Sequence, residues 1–197
     1  MRSYIRHVRP KHDGYLGRWA WPLVLAALVP LVGGCGVLGG ISNTKLGSPQ
    51  SLTVTSPVFG SDIRLPGIYT CHGHGLSPPL QWSGATSPTA KSFAIVVDDS
   101  QAPITPYVYW IVFDLSPNTV AIPQNQLPTG ARQAQNSAGR AVYDPPCPQG
   151  TWHQYRFTVY ALNAMIKLPN GVPLRAAWSA IASHVIASGR LTARAYP

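Results

Sequence analysis

The chain has 197 residues, long enough for one domain with a buried core behind a leader, and its 20 prolines and 18 glycines are spread between apolar runs, which excludes low-complexity disorder. The formal net charge is +9, but charged residues make up only 11% and no glutamate occurs. A mild positive excess without clustered Lys or Arg argues against nucleic acid as a partner and fits better with an acidic surface such as a bilayer or cell envelope, or with no partner at all.

In chain order, MRSYIRHVRPKHDGYLGR is basic, WAWPLVLAALVPLV is apolar and uncharged, and LVGGC ends at Cys35. Charged, apolar, then small residues is the order of a bacterial signal peptide. The apolar core is short for a bilayer span, and two prolines interrupt it. Val32-Gly33-Gly34-Cys35 resembles a lipobox, so residues 1–35 read as a lipoprotein signal peptide, with Cys35 the acylated first residue of the mature chain. Two acyl chains supply anchoring that one does not. An uncleaved anchor helix or simple secretion are the alternatives. All three put the domain outside the cytoplasm, and the first puts it on the extracytoplasmic face of the bacterial cell membrane. Residues 36–51, rich in Gly, Ser and Thr, read as a flexible tether leading into a domain over 52–197, with a first strand near Leu52–Thr55.

KSFAIVVDD (91–99) predicts a buried strand whose end carries carboxylates. YVYWIVFDL (107–115) predicts a second, aromatic and β-branched. Residues 116–144 form a long polar segment, of the kind that carries function or wraps a sheet. YDPPCPQGTWHQY (143–155) then sets a proline-locked loop before a third strand, HQYRFTVYAL (153–162), on which His153, Tyr155 and Phe157 share a face. Pro173 opens a helix-like stretch, LRAAWSAIASHVIASGRLTA, with Leu174, Trp178, Ile181 and Val185 on one stripe and Gly189 as the C-cap. Mostly strands with one late helix predicts a mainly β sandwich with a small C-terminal helical addition.

With Cys35 acylated, Cys71 and Cys147 remain as an even pair in an oxidising compartment. Their disulfide would close a loop of about 75 residues, worth about 4 kcal/mol in the chain-entropy model. A metal site built from Cys71, His72, His74, Cys147 and His153 is a second reading, though the spacing matches no zinc pattern, and two free thiols are a third. No nucleophile elbow, metal-ligand set or phosphate loop appears, so no cofactor and no metal is expected and catalysis is not; Ser137 is the one serine weighed as a nucleophile beside Asp99 and His153, and it sits in a polar loop.

Five stretches, YTCHGHGLSPPLQW (69–82), KSFAIVVDDSQAP (91–103), YVYW (107–110), NSAGRAVYDPPCPQG (136–150) and HQYRFTVYAL (153–162), together resemble the phosphatidylethanolamine-binding protein (PEBP) family, in its bacterial and archaeal Raf-kinase-inhibitor-like branch. The resemblance runs from about Ser56 to Tyr196. It implies a Greek-key β-sandwich with a small surface pocket for anions and phosphorylated head groups. It places in that pocket Asp99, Tyr109, Pro146 and Cys147 of the proline loop, His153, Tyr155 and, as C-terminal wall, Tyr196, with Trp82 and Trp110 as apolar walls. Four positions depart from the family pattern: Gln101 for an aspartate, Tyr107 for a tryptophan, Tyr109 for a histidine, and Pro145 for a glycine. Weaker or altered anion binding is the expectation. Asp99 is expected to pair with His153, orienting the ring and favouring its protonated form. The implied partner is a small anionic or phosphorylated ligand or a phospholipid, with the membrane reached through Cys35; the alternative is a protein-interaction module using the same face.

Overall fold

The computed structural model describes residues 50–84, 89–102 and 105–197. The leader and Cys35 lie outside them, as do residues 36–49 of the 36–51 stretch read as tether, whose last two residues pair as a strand with Ala187 and Ser188. In chain order the strands are β1 (Gln50–Ser51), β2 (Thr53–Thr55), β3 (Ile63–Arg64), β4 (Leu80–Ser83), β5 (Ser92–Asp99), β6 (Tyr107–Leu115), β7 (Ala121–Ile122), β8 (Arg132–Gln133), β9 (His153–Leu162) and β10 (Val185–Ala195). One α-helix among the described residues, α1 (Leu174–Ala182), lies between β9 and β10.

Seven strands form the main sheet, in the order β1-β10-β9-β5-β6-β8 with β3 also paired to β10; β2, β4 and β7 form a second sheet of three. The four long strands pair antiparallel, and β9 returns to the far side of β5 by a long connection after the β5–β6 hairpin. The two sheets sandwich the main core: Val54, Leu80, Trp82 and Ile122 from the small sheet meet Phe93, Ile95, Val97, Phe157 and Val159 from the large one. On the opposite face of the large sheet, Ala177 and Ile181 of α1 pack on Ala94, Val96, Ile111 and Phe113. This explains why β5 is apolar on successive residues. A strand covered by a sheet on one side and a helix on the other has no solvent face to alternate with.

The helix is shorter than the sequence predicts. It follows Pro173, but ends at Ala182 with Ser183 as C-cap, and Val185 begins a strand. Trp178, on the helix, and Val185, at the head of β10, are both exposed rather than part of a buried stripe. In β10 the inward residues are Ala187, Leu191, Ala193 and Ala195. Three of these are alanines, which carry strong helix propensity and little hydrophobic contrast, so the period of two is muted. Gly189 is not a cap. It lets the β1–β2 segment approach: a Cβ there would lie 2.1 Å from the Leu52 carbonyl oxygen.

Candidate functional site

Asp99 ends β5 directly opposite Tyr155 of β9 on one side and Tyr107 of β6 on the other. His153 stands two residues before Tyr155 and so on the same face. Register alone brings the carboxylate and the imidazole together: His153 Nδ1 lies 2.6 Å from Asp99 Oδ2. Asp99 is buried, and its other oxygen accepts from the Gln101 backbone N–H at 2.7 Å. The imidazole keeps a quarter of its surface in solvent, its side chain being 25% exposed. Both oxygens of the buried acid are thus committed, one to a turn and one to the ring, while Nε2 is left for another partner.

Tyr109 reaches this corner through a β-bulge. The β5–β6 register pairs Val97 with Trp110 and Asp98 with Val108, leaving Tyr109 as the extra residue. As a result Tyr109 and Trp110 both turn to the core face. The Tyr109 ring meets Tyr155 edge-on at 5.2 Å and Tyr107 at 4.7 Å. Tyr155 is fully buried, and its hydroxyl makes no hydrogen bond at normal geometry, although the Tyr109 hydroxyl is near enough to perturb it. Burial pushes the Tyr155 phenol well above the usual tyrosine range and raises Tyr109 as well. Both stay neutral donors at any physiological pH.

The remaining wall is loop. Asn136, 2% exposed, organises it: its side-chain oxygen accepts from the Ala138 and Arg140 backbone N–H groups, each at 3.0 Å, and its amide donates to the Val142 carbonyl at 3.2 Å. The Asp144 N–H donates to the Tyr109 carbonyl at 3.0 Å, laying the loop along β6. The Asp144 carboxylate is held by Arg140 and accepts from the Tyr107 hydroxyl at 3.4 Å. Further on, Cys147 is bonded to Cys71 (S–S 2.08 Å), the Cys71 N–H donates to the Pro146 carbonyl at 3.0 Å, and the Tyr143 hydroxyl donates to the Tyr69 carbonyl at 3.0 Å. Cysteines bonded to each other offer no thiolate to a metal, and no cluster of ligating side chains occurs among the described residues.

Asp99, His153, Tyr155 and Tyr109 therefore form one contiguous group. Pro146 and Cys147 belong to the braced loop that follows Tyr143 and contact the 69–76 turn. Tyr196 follows Ala195, the register partner of His153, and its ring carries the Arg64 guanidinium at 5.1 Å. Trp110 donates to the Gln133 side chain at 2.6 Å and meets Tyr143 edge-on. Trp82 is no site wall: it is buried between the sheets against Phe93 at 5.6 Å. Gln101, where the family pattern has an aspartate, turns its side chain to β9 and accepts from the Gln154 N–H at 2.7 Å. The Ser137 hydroxyl accepts from the Val108 N–H at 2.9 Å, a loop-to-strand tie. Asn136 and Asp144 were missed at the sequence level; the signal for the first was the Asn-Ser-Ala-Gly turn itself.

The family model described as phosphatidylethanolamine-binding protein matches residues 55–196. The chain belongs to the phosphatidylethanolamine-binding protein family. It is similar to a proposed lipoprotein of Mycobacterium tuberculosis, LppC, at 36% identity over 86% of this chain and 93% of that one. An archaeal relative, a UPF0098 protein of Methanothermobacter thermautotrophicus, is 32% identical over 71% of this chain and 95% of its own. Among solved structures, a proposed PEBP homolog from Chlamydia trachomatis superposes with a TM-score of 0.67 at 32% identity, covering 73% of this chain and 96% of that one. Escherichia coli YbcL, described as a new member of the mammalian PEBP family, gives 0.69 at 27%, covering 74% and 98%. The disulfide, the mainly β architecture and the PEBP membership agree with the sequence reading.

Proposed function

We propose that the chain is a lipid-anchored, extracytoplasmic PEBP-family binding protein that takes a small anionic or phosphorylated ligand at the Asp99–His153–Tyr109 corner, with Tyr155 buried behind it as a support and not as the ligand contact expected from the sequence, and performs no chemistry on it. The observation that carries this reading is the state of the two acids. Asp99 holds the Gln101 N–H and His153, and Asp144 holds Arg140 and Tyr107. Each oxygen of both carboxylates already has a donor. The buried acid instead fixes the imidazole with Nδ1 inward, so that Nε2 and the Tyr109 hydroxyl are the groups available to an anion's oxygens. The corner has one imidazole, because Tyr109 is a neutral phenol, so affinity rests on His153. The anchoring half is supported by the lipobox and by the lipoprotein relative. Among the described residues no helix is long and apolar enough to cross a membrane.

Titration with inorganic phosphate and with phosphoethanolamine, followed by amide and imidazole NMR shifts, tests the site. The expected shifts are confined to Asp99, Tyr107–Trp110, residues 145–155 and Tyr196. His153→Ala is expected to weaken binding at least tenfold, about 1.4 kcal/mol, the scale of one charge-assisted hydrogen bond. Shifts elsewhere, or binding unchanged in that variant, overturn the reading. A protein captured on this face in the absence of phosphate shifts points to the interaction module instead. Cys35→Ser is expected to move the protein from the membrane to the soluble fraction; continued membrane association contradicts the lipid anchor.

A further inference from the structure

The face of the large sheet opposite the core is only partly covered. Helix α1 seals one end with Ala177 and Ile181, and beside it runs an open groove of about 540 Å³. This size suits a single small molecule. Its apolar surface comes from Val96, Val108, Ile111, Leu174 and Trp178. Trp178 is 42% exposed and stands edge-on to Tyr160 at 5.7 Å. An indole left in solvent on a trough of aliphatic side chains is a surface in need of an occupant.

The charges of the groove select that occupant. Asp98 is taken by Arg156, whose Nε donates to it at 2.8 Å and whose terminal nitrogen binds its second oxygen. Arg190 donates from Nε to the Thr158 hydroxyl at 3.1 Å, and among the described residues it has no carboxylate partner. Two guanidinium groups against one acid leave a single positive charge, at Arg190, at the edge of an apolar trough. The complement is a molecule with one negative charge at the end of an apolar chain.

We propose that this groove binds a free fatty acid, its chain lying on the aliphatic floor and Trp178 and its carboxylate on Arg190. The site is separate from the Asp99–His153 corner: in alternating strands, Asp98 and Arg156 point away from the face that bears Asp99 and Tyr155.

The probe is octanoate, added below its micelle concentration to the full-length protein, with the Trp178 indole N–H resonance as readout. Octanoate is expected to shift it in a saturable way, and octylammonium is not. Arg190→Gln is expected to weaken octanoate at least fivefold, and Trp178→Ala to weaken it as well. Both side chains are exposed, so both variants are expected to melt as the parent does. Saturating phosphate is expected to leave octanoate binding unchanged, so loss of the phosphate site and loss of this one are told apart. Equal binding of octylammonium, no effect of Arg190→Gln, shifts centred on His153, or a Trp178 shift with phosphatidylglycerol vesicles but not with octanoate would each overturn the proposal.

Discussion

The two halves of the candidate site are built by different physics. The half that carries Asp99, His153 and Tyr155 is borne on β5 and β9, where pleat and register fix which side chains meet. The half that carries Pro146 and Cys147 is loop, held by side-chain and backbone bonds, chief among them the Asn136 network, and by one covalent link to the 69–76 turn. The first half survives as long as the sheet does. The second can be lost while the sheet stands, so the imidazole and its acid are separable from the wall around them.

Removing the link is the strongest way to break that comparison. The disulfide closes a span of 76 residues, and its loss by Cys71→Ser with Cys147→Ser is expected to cost about 4 kcal/mol in denaturant unfolding. At temperatures where the variant remains folded, amide exchange should accelerate across 69–76 and 143–150 while β5 and β9 stay protected. Uniform acceleration would show that the halves are not separable. A smaller effect is expected at Asn136. Asn136→Leu strands two backbone N–H groups and a carbonyl, at an expected cost of about 3 kcal/mol, again with exchange rising in the loop and not in the strands. No change in stability would mean that the loop is held by other bonds.

The smallest effect touches both halves, through Tyr155 on β9 and Tyr143 on the loop. Burial raises the Tyr155 and Tyr143 phenols well above their ordinary value near 10. A phenol whose pKa is raised by folding keeps its proton in the native state where the unfolded chain loses it. Stability is therefore expected to be insensitive to these groups below about pH 10 and to fall as pH rises beyond it. Phenolate absorbance should show buried tyrosines such as Tyr143 and Tyr155 keeping their protons until the protein unfolds. Full ionisation in the folded protein near pH 10 would place these hydroxyls in solvent.

Much of the strand-borne half was legible in the sequence. Continuous apolar runs marked β5 and β6, and the alternation of His153, Tyr155 and Phe157 marked one face of β9. The loop half was legible as a proline-locked stretch, an even cysteine pair and a resemblance, but not in its detail, because loops are ordered by side-chain-to-backbone bonds that have no period. The Asn136 network is of that kind. The bulge that turns Tyr109 inward was hidden for a related reason: one extra residue leaves local composition unchanged but resets the alternation. β10 was misread as helix because alanines on its inner face erase the contrast on which a period of two depends.

The most direct test of the central claim is a crystal soaked in phosphate. The account predicts an anion within hydrogen-bond distance of His153 Nε2 and the Tyr109 hydroxyl, with Nδ1 still on Asp99 and the Gln101 N–H still on the same acid. A corner empty at saturating phosphate, or an imidazole turned off Asp99 to meet the anion through Nδ1, would contradict it.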